Sequence, residues 1–218
     1  YGFDLQPPDD RSAEGVRIED GELVIVGERK LRTHGSRTAV HAGWGDFEME
    51  LEIFRRPDNC TGGVAHVIEL SLDPPSDFTS LARPDLRRVI WRFQCEIAAS
   101  RIRHQTMLTF GRMSILTFAC PDARRRVKIG WESRGFFKSR FFLKDEACGI
   151  TRYIAADPMN TRDLDALGRF RGKPLYVSIG AATTLPQAAG FGWIEARYAM
   201  PTAPAITRED SPTTVLLK

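Results

Sequence analysis

The sequence predicts an all-β protein that folds as a two-sheet antiparallel sandwich. Short apolar runs recur at intervals of about 8–15 residues and are separated by Gly, Pro, Asp and Asn, which is the spacing of strands and tight turns. Several of these runs alternate apolar and polar residues with a period of two, as strands with one buried face do. Alternating strands and helices would instead need segments of helical period between the runs.

The segment Asp46–Phe54 is the clearest predicted strand. Its apolar residues fall on one face: Phe47, Met49, Leu51 and Ile53. Its acidic residues fall on the other: Glu48, Glu50 and Glu52. We interpret the acidic set as a solvated outer face whose charges discourage pairing with other chains.

The remaining runs predict further strands and one short helix. The predicted strands are, in chain order, Leu23–Val26, Ser36–His41, Gly62–Leu70, Arg88–Glu96, Arg101–Phe110, Met113–Phe118, Val127–Trp131, Phe137–Leu143, Thr151–Ala155, Lys173–Ile179 and Phe191–Met200. The segment Asn160–Phe170 has apolar residues three apart behind Thr161 and Asp163, which favours a short helix with a capped N-terminus.

The chain is predicted to form a single domain over residues 1–218. Residues 1–15 form a polar lead-in segment and residues 201–218 a mobile tail rich in Pro and Thr. With 42% apolar residues, the 218-residue chain can bury a full core by itself. No run approaches the roughly 18 apolar residues of a membrane span.

The nearly balanced charge of the chain does not favour a polyanionic partner. There are 31 basic and 28 acidic residues, so a net charge of +3 does not indicate nucleic acid or an anionic membrane. We predict no nucleic-acid partner, interpret Arg124-Arg125-Arg126 as a solvated turn, and leave the oligomeric state open.

The four cysteines, Cys60, Cys95, Cys120 and Cys148, contain no C-x-x-C pair, which argues against a zinc knuckle or a redox motif. An even number allows two disulfides in three pairings, but free buried thiols fit equally well. The four histidines also lack a recognised ligand spacing. We predict no cofactor, leave a structural calcium ion open, and favour a secreted or periplasmic location.

The order of several segments resembles the concanavalin A-like lectin/glucanase superfamily. Residues 20–25, 45–52 and 59–63 resemble the first half of these jelly rolls, residues 126–131 with 137–144 resemble a later strand pair, and residues 174–179 with 192–198 resemble the closing strands. The resemblance covers about residues 16–200. It implies two antiparallel sheets, one of them curved, with glycans bound on the concave face.

The resemblance also indicates where catalytic carboxylates would lie. Retaining glucanases of this superfamily carry alternating acids on one strand, because a nucleophile and a general acid must lie about 5–5.5 Å apart. The corresponding strand here is Arg88–Glu96, in which Arg92, Gln94 and Glu96 occupy the alternating positions. Arg and Gln suit hydrogen bonds to sugar hydroxyls or to a uronate carboxylate, so we predict that Arg92 and Gln94 bind substrate.

Other side chains are candidates for catalysis or stacking. Glu96, His66 and His104 are the candidate acid or base groups, although a lone histidine among apolar neighbours, as His66 is, more often is a hydrogen-bonded core residue. Trp44 and Trp193 are candidate platforms for sugar rings, whereas Trp91 and Trp131 share faces with Val and Ile and are predicted to be core.

Three functions follow from these residues. The leading one is a carbohydrate-recognising β-sandwich that binds a glycan, in particular an acidic polysaccharide, on its concave sheet. The alternatives are a polysaccharide lyase or divergent glycoside hydrolase, and a structural or assembly subunit.

Overall fold

A computed structural model of the protein describes residues 15–27, 29–33, 47–72, 86–133, 139–155, 169–170, 176–184 and 186–198. These residues form thirteen strands, numbered β1 to β13 in chain order. Nowhere in this part of the chain is there a helix long and apolar enough to span a membrane.

The strands form two antiparallel sheets. The seven-stranded sheet contains, in spatial order, β1 (Val16–Glu19), β2 (Glu22–Ile25), β13 (Ala188–Tyr198), β4 (Phe47–Arg56), β9 (Arg124–Ser133), β10 (Ser139–Asp145) and β11 (Ile150–Ala155). The six-stranded sheet contains β3 (Arg29–Thr33), β12 (Tyr176–Thr183), β5 (Val64–Ser71), β6 (Arg88–Ala98), β7 (Arg101–Phe110) and β8 (Met113–Phe118). The predicted all-β antiparallel sandwich is confirmed.

Most predicted strands are found within a few residues of their expected bounds, and β7 and β8 have the predicted bounds. The short strands β1 and β3 were not predicted. The candidate strand Ser36–His41 lies outside the described residues. So does the predicted helix Asn160–Phe170, except for Arg169 and Phe170, which lie in a turn.

The core lies between the sheets and follows the period-two pattern. On β6 the side chains of Val89, Trp91, Phe93 and Cys95 are buried. Trp91 donates a hydrogen bond from Nε1 to the carbonyl oxygen of Phe142 in the opposite sheet at 2.8 Å. Because successive side chains of a strand point to opposite faces, Arg92, Gln94 and Glu96 point to the outer face of the six-stranded sheet.

Two expectations about charged residues are corrected. The predicted solvated turn at Arg124-Arg125-Arg126 is instead the beginning of β9, where alternation turns Arg125 into the interior. The acidic side chains of β4 do lie on an outer face, but β4 is not an edge strand that they could protect, because it lies between β13 and β9. Glu50 on this face is buried.

Both disulfides are formed, which decides between the alternatives left open by the sequence. Cys60–Cys95 joins the β4–β5 connection to β6 with a Cα–Cα distance of 6.3 Å. Cys120–Cys148 joins the β8–β9 connection to the β10–β11 turn with a Cα–Cα distance of 5.2 Å.

Candidate functional site

The outer face of the six-stranded sheet carries the predicted binding residues Arg92 and Gln94. The Nε2 amide of Gln94 donates a hydrogen bond to Oε1 of Gln105, its direct partner on β7, at 2.8 Å. One amide offers two donors and two acceptor lone pairs, so the pair keeps hydrogen-bonding capacity for a ligand. Gln105 was missed by the sequence analysis because its place beside Gln94 depends on the register of two strands.

Arg92 lies one step along β6 from this pair and is half-buried. Val67 on β5 and Met107 on β7 flank it in register. Its Nε atom is buried and makes no hydrogen bond to any residue that the structure describes. A buried guanidinium N–H without a partner is a donor whose desolvation cost is not yet offset.

Two carboxylates on this outer face come from described strands, Glu69 and Glu96. Glu69 lies on β5 opposite Ile90 and is only 3% exposed. It was missed by the sequence analysis, although it alternates with the buried Ile68 and Leu70 as an outward residue should. Ile90 and Glu96 are six residues apart on β6, and at about 3.4 Å per residue the two carboxylates are separated by roughly 20 Å. Glycoside hydrolysis needs about 5–9.5 Å.

The three glutamates of β4 lie on the outer face of the other, seven-stranded sheet, and two of them, Glu50 and Glu52, pair with bases of β9. Glu52 contacts Nη1 of Arg124 at 2.7 Å. Glu50 lies 3.6 Å from both Nε of Arg126 and Nζ of Lys128. This alternating acidic motif is therefore on the opposite side of the sandwich from Arg92 and Gln94.

His66 points into the core, away from Arg92 and Gln94. It lies opposite Phe93 on β6, and its Nε2 donates to the carbonyl oxygen of Phe54 in the other sheet at 2.7 Å. Its ring meets that of Phe191 edge-on at 5.2 Å. Burial lowers the pKa of His66 to about 4, so the imidazole is neutral at pH 7. The position matches the hydrogen-bonded core residue considered as its alternative role.

His104 also lies on the inner side, because it is the register partner of the buried Cys95. Burial lowers the pKa of His104, and the nearby Arg55 and Arg125 lower it further. These two arginines, both histidines and Asp122 line a small cavity of about 10 Å³ between the sheets, enough for roughly one water. Neither histidine shares the outer face with Arg92, Gln94 and Glu96.

The predicted tryptophan platforms are not brought together with Arg92. Trp44 lies outside the described residues. Trp193 lies on β13 in the seven-stranded sheet, where the register shifts between Phe191 and Ile194, and its side chain is not described. The predicted core positions of Trp91 and Trp131 are confirmed, with 0% and 3% exposure.

No group of three or more His, Cys, Asp or Glu residues in the described strands and turns has the geometry of a metal site.

The fold is the jelly roll of the concanavalin A-like lectins and glucanases. Solved structures that share it include an endo-1,3-β-glucanase from Streptomyces sioyaensis, with 12% identity, a TM-score of 0.59 and coverage of 92% of this chain and 84% of that chain. The pseudo β-1,3-glucanase of Mycobacterium tuberculosis has 13% identity, a TM-score of 0.52 and coverage of 84% and 78%.

Alginate lyase A1-II′, a member of polysaccharide lyase family 7, has 10% identity, a TM-score of 0.51 and coverage of 84% of this chain and 83% of that chain. No protein-family model and no curated protein sequence matches the chain. The structural likenesses therefore establish the jelly-roll fold and nothing finer.

Proposed function

We propose that this protein binds a glycan on the outer face of its six-stranded sheet, with a preference for uronate-containing polysaccharides. The observation that carries the proposal is the position of Arg92 next to the Gln94–Gln105 amide pair on that face. Glycan sites need side-chain donors and acceptors held in a fixed arrangement, and paired amides on adjacent strands are held in this way. We take this face to be the concave one expected from the resemblance.

The preference for an acidic glycan follows from Arg92. A guanidinium pairs with a carboxylate through two parallel hydrogen bonds, which a neutral hydroxyl cannot reproduce. The Arg92 side chain is half-buried, so part of its guanidinium stays accessible to a ligand carboxylate on this face. Alginate lyase A1-II′ acts, by its name, on such a polyuronate, whereas the endo-1,3-β-glucanase acts on a neutral glucan.

We infer recognition rather than cleavage by paired acids. The acid predicted at Glu96 is separated from Glu69 by roughly 20 Å along the sheet. His66 and His104, the candidate bases, lie on the other side of β5 and β7 from the proposed binding face. Glu96 is instead proposed to act with its register partner Arg103 as a polar boundary of the site. Trp44 stays a candidate platform for a sugar ring.

The two disulfides support an oxidising compartment, as proposed from the sequence. Disulfides persist in secreted and periplasmic proteins and are rare in the reducing cytosol.

Calorimetric titration with an alginate hexasaccharide and with laminarihexaose tests the proposal. The wild-type protein is expected to bind the alginate oligosaccharide more tightly. Arg92→Ala should weaken that binding about 10- to 100-fold, since a hydrogen bond to a charged group contributes about 1.5–3 kcal/mol. Arg92→Ala should change laminarihexaose binding little. Arg124→Ala on the opposite outer face is the matched control and should bind as wild type.

Failure of both oligosaccharides to bind the folded protein would refute the proposal. Product assays provide a second test: incubation with alginate should yield neither an unsaturated sugar that absorbs in the near ultraviolet nor new reducing ends. Turnover that is abolished by Arg92→Ala would instead establish a lyase or a hydrolase at this face.

A further inference from the structure

The edge strand β8 presents an exposed apolar pair next to the proposed glycan site. The side chain of Phe118 is 74% exposed and that of Leu116 is 55% exposed. Among the described residues, Phe118 is the one aromatic side chain in the set of large exposed hydrophobic residues. Single exposed apolar residues are common on protein surfaces, but here two neighbouring ones lie beside the polar groups of the proposed site.

Register connects this pair directly to the polar groups of the site. Phe118 is opposite Gln105, which in turn is opposite Gln94. In the neighbouring row, Leu116 is opposite Met107, which is opposite Arg92. Each row therefore begins with an exposed apolar side chain on β8 and ends with a polar side chain on β6.

The dimensions of these rows are set by the sheet. Adjacent strands are about 4.8 Å apart, so β8 and β6 are separated by roughly 10 Å. Directly opposite side chains lie about 4.5–5.5 Å apart at Cβ. A saccharide unit above Phe118 would thus have the Gln105 amide at its side, and a second unit would reach Gln94 and Arg92.

We propose that Phe118, with Leu116 beside it, is the stacking platform of the glycan site, and that the glycan runs across the strands from β8 to β6. This inference rests on the proposed function. The apolar C–H face of a pyranose covers the phenyl ring, while its ring-edge hydroxyls take hydrogen bonds from the Gln105 and Gln94 amides. A uronate carboxylate on the next unit then reaches Arg92. Apolar contact with a few fixed polar groups is the usual construction of a small-ligand site.

The polar end of each row favours a glycan over a second copy of this chain as the occupant. An interface between two copies would cover Arg92 and the glutamine amides, and polar groups covered without partners are costly. A glycan offers hydroxyl and carboxylate partners to all of them.

The test compares Phe118→Ala, Phe118→Tyr and Ile18→Ala by calorimetry with both hexasaccharides. Phe118→Ala is expected to weaken binding about tenfold for the acidic and the neutral oligosaccharide alike, because stacking does not depend on the carboxylate. Phe118→Tyr should retain binding. Ile18 is 64% exposed on β1 of the other sheet, so Ile18→Ala is the matched control for loss of an exposed apolar side chain.

The outcomes separate this inference from the proposed function. If Arg92→Ala weakens binding and Phe118→Ala does not, the platform is refuted and the glycan site stands. If wild-type protein binds neither oligosaccharide, both are refuted. If Phe118→Ala leaves binding intact and converts a dimer to a monomer in light scattering, the patch is an interface between copies and the platform is likewise refuted.

Discussion

Two consecutive arginines at the beginning of β9 have opposite environments. Arg125 points between the sheets, where its Nη1 contacts Oδ2 of the fully buried Asp145 at 2.8 Å. Arg124 points to the outer face of the seven-stranded sheet, where it contacts Glu22 and Glu52 at 2.7 Å each and lies 4.5 Å above the ring of Phe54. The ion-pair distances of the two arginines are similar, but the desolvation cost of their charges differs.

The directions of the pKa shifts reveal that difference. For the buried pair, burial lowers the pKa of Arg125 and raises that of Asp145, so desolvation opposes both charges more strongly than the pairing supports them. For the exposed pair, the hydrogen bond between them raises the pKa of Arg124 and lowers that of Glu22. On the outer face, pairing therefore stabilises the charged forms of Arg124 and Glu22. Between the sheets, burial destabilises the charged forms of Arg125 and Asp145, so each charge depends on its partner.

The comparison also isolates Arg92, which resembles neither arginine. Arg124 belongs to a network of the outer seven-stranded face in which Arg56 joins Glu19 and Glu22 at 2.6 Å. On the outer six-stranded face, Arg92 keeps a buried Nε that no described residue accepts. The outer seven-stranded face is thus a network of paired charges, whereas the Nε of Arg92 has no acceptor among the described residues.

The largest expected effect comes from breaking the buried pair. Asp145→Ala leaves the Arg125 guanidinium buried without a counter-charge and should lower the free energy of unfolding by about 3–5 kcal/mol in urea denaturation. The neighbouring Glu146, which is exposed and contacts Lys128 at 3.4 Å, supplies the control. Glu146→Ala should cost less than about 1 kcal/mol.

A double variant sharpens this prediction. Arg125→Met with Asp145→Leu removes both charges and keeps apolar volume, so most of the lost stability should return. If Asp145→Ala alone costs under about 1 kcal/mol, water reaches the pair and the contrast with Arg124 fails.

The next effect is a loss of stability in acid that arises from His66. Its pKa is about 4 in the folded protein and about 6.5 unfolded, so the unfolded chain takes up a proton that the folded one refuses. Stability is full above pH 6.5, falls as the pH decreases from 6.5 to 4, and changes no further from this group below 4. The loss is about 3 kcal/mol at 1.36 kcal/mol per pKa unit.

Urea denaturation at pH 7.5, 5.5 and 4 measures this slope. His66→Gln keeps an N–H donor for the Phe54 carbonyl and does not titrate, so the difference in slope between variant and wild type isolates the histidine. Equal slopes in the two proteins would mean that His66 is accessible to water. His104, whose pKa is lowered by burial and by Arg55 and Arg125, contributes in the same direction to both.

The sequence predicts which face of a strand a residue occupies better than it predicts which residues of two neighbouring strands lie side by side. Alternation within a strand correctly assigned Trp91 to the core and, by the same parity, Arg92 and Gln94 to the outer face. The three-arginine segment was misassigned because the predicted strand began at Val127, three residues after β9 does. Extending the period of two backward from Val127 would have placed Arg125 inside.

Gln105 and Phe118 were missed because a neighbour across strands depends on register, which alternation alone does not define. The lengths of the two turns indicate this register. Two-residue turns at Ala99-Ser100 and Gly111-Arg112 connect β6 to β7 and β7 to β8, and the first pairs closed are Ala98 with Arg101 and Phe110 with Met113. Counting back from these pairs brings Gln94, Gln105 and Phe118 into one row. No turn of this kind indicates the register shift between Phe191 and Ile194, next to Trp193.

The smallest expected change in the free energy of unfolding comes from the ion-pair network on the outer face of the seven-stranded sheet. Glu22→Gln removes the charge that Arg56 and Arg124 share, and because solvent screens this pair the free energy of unfolding should fall by less than about 1 kcal/mol at low salt. The difference from wild type should vanish in about 1 M NaCl, where the screening length is about 3 Å. Glycan affinity should be unchanged, since Glu22 lies on the other sheet. A loss above about 2 kcal/mol that persists in salt would mean that the outer network is as necessary to the fold as the Arg125–Asp145 pair, and that exposure does not separate the two arginines.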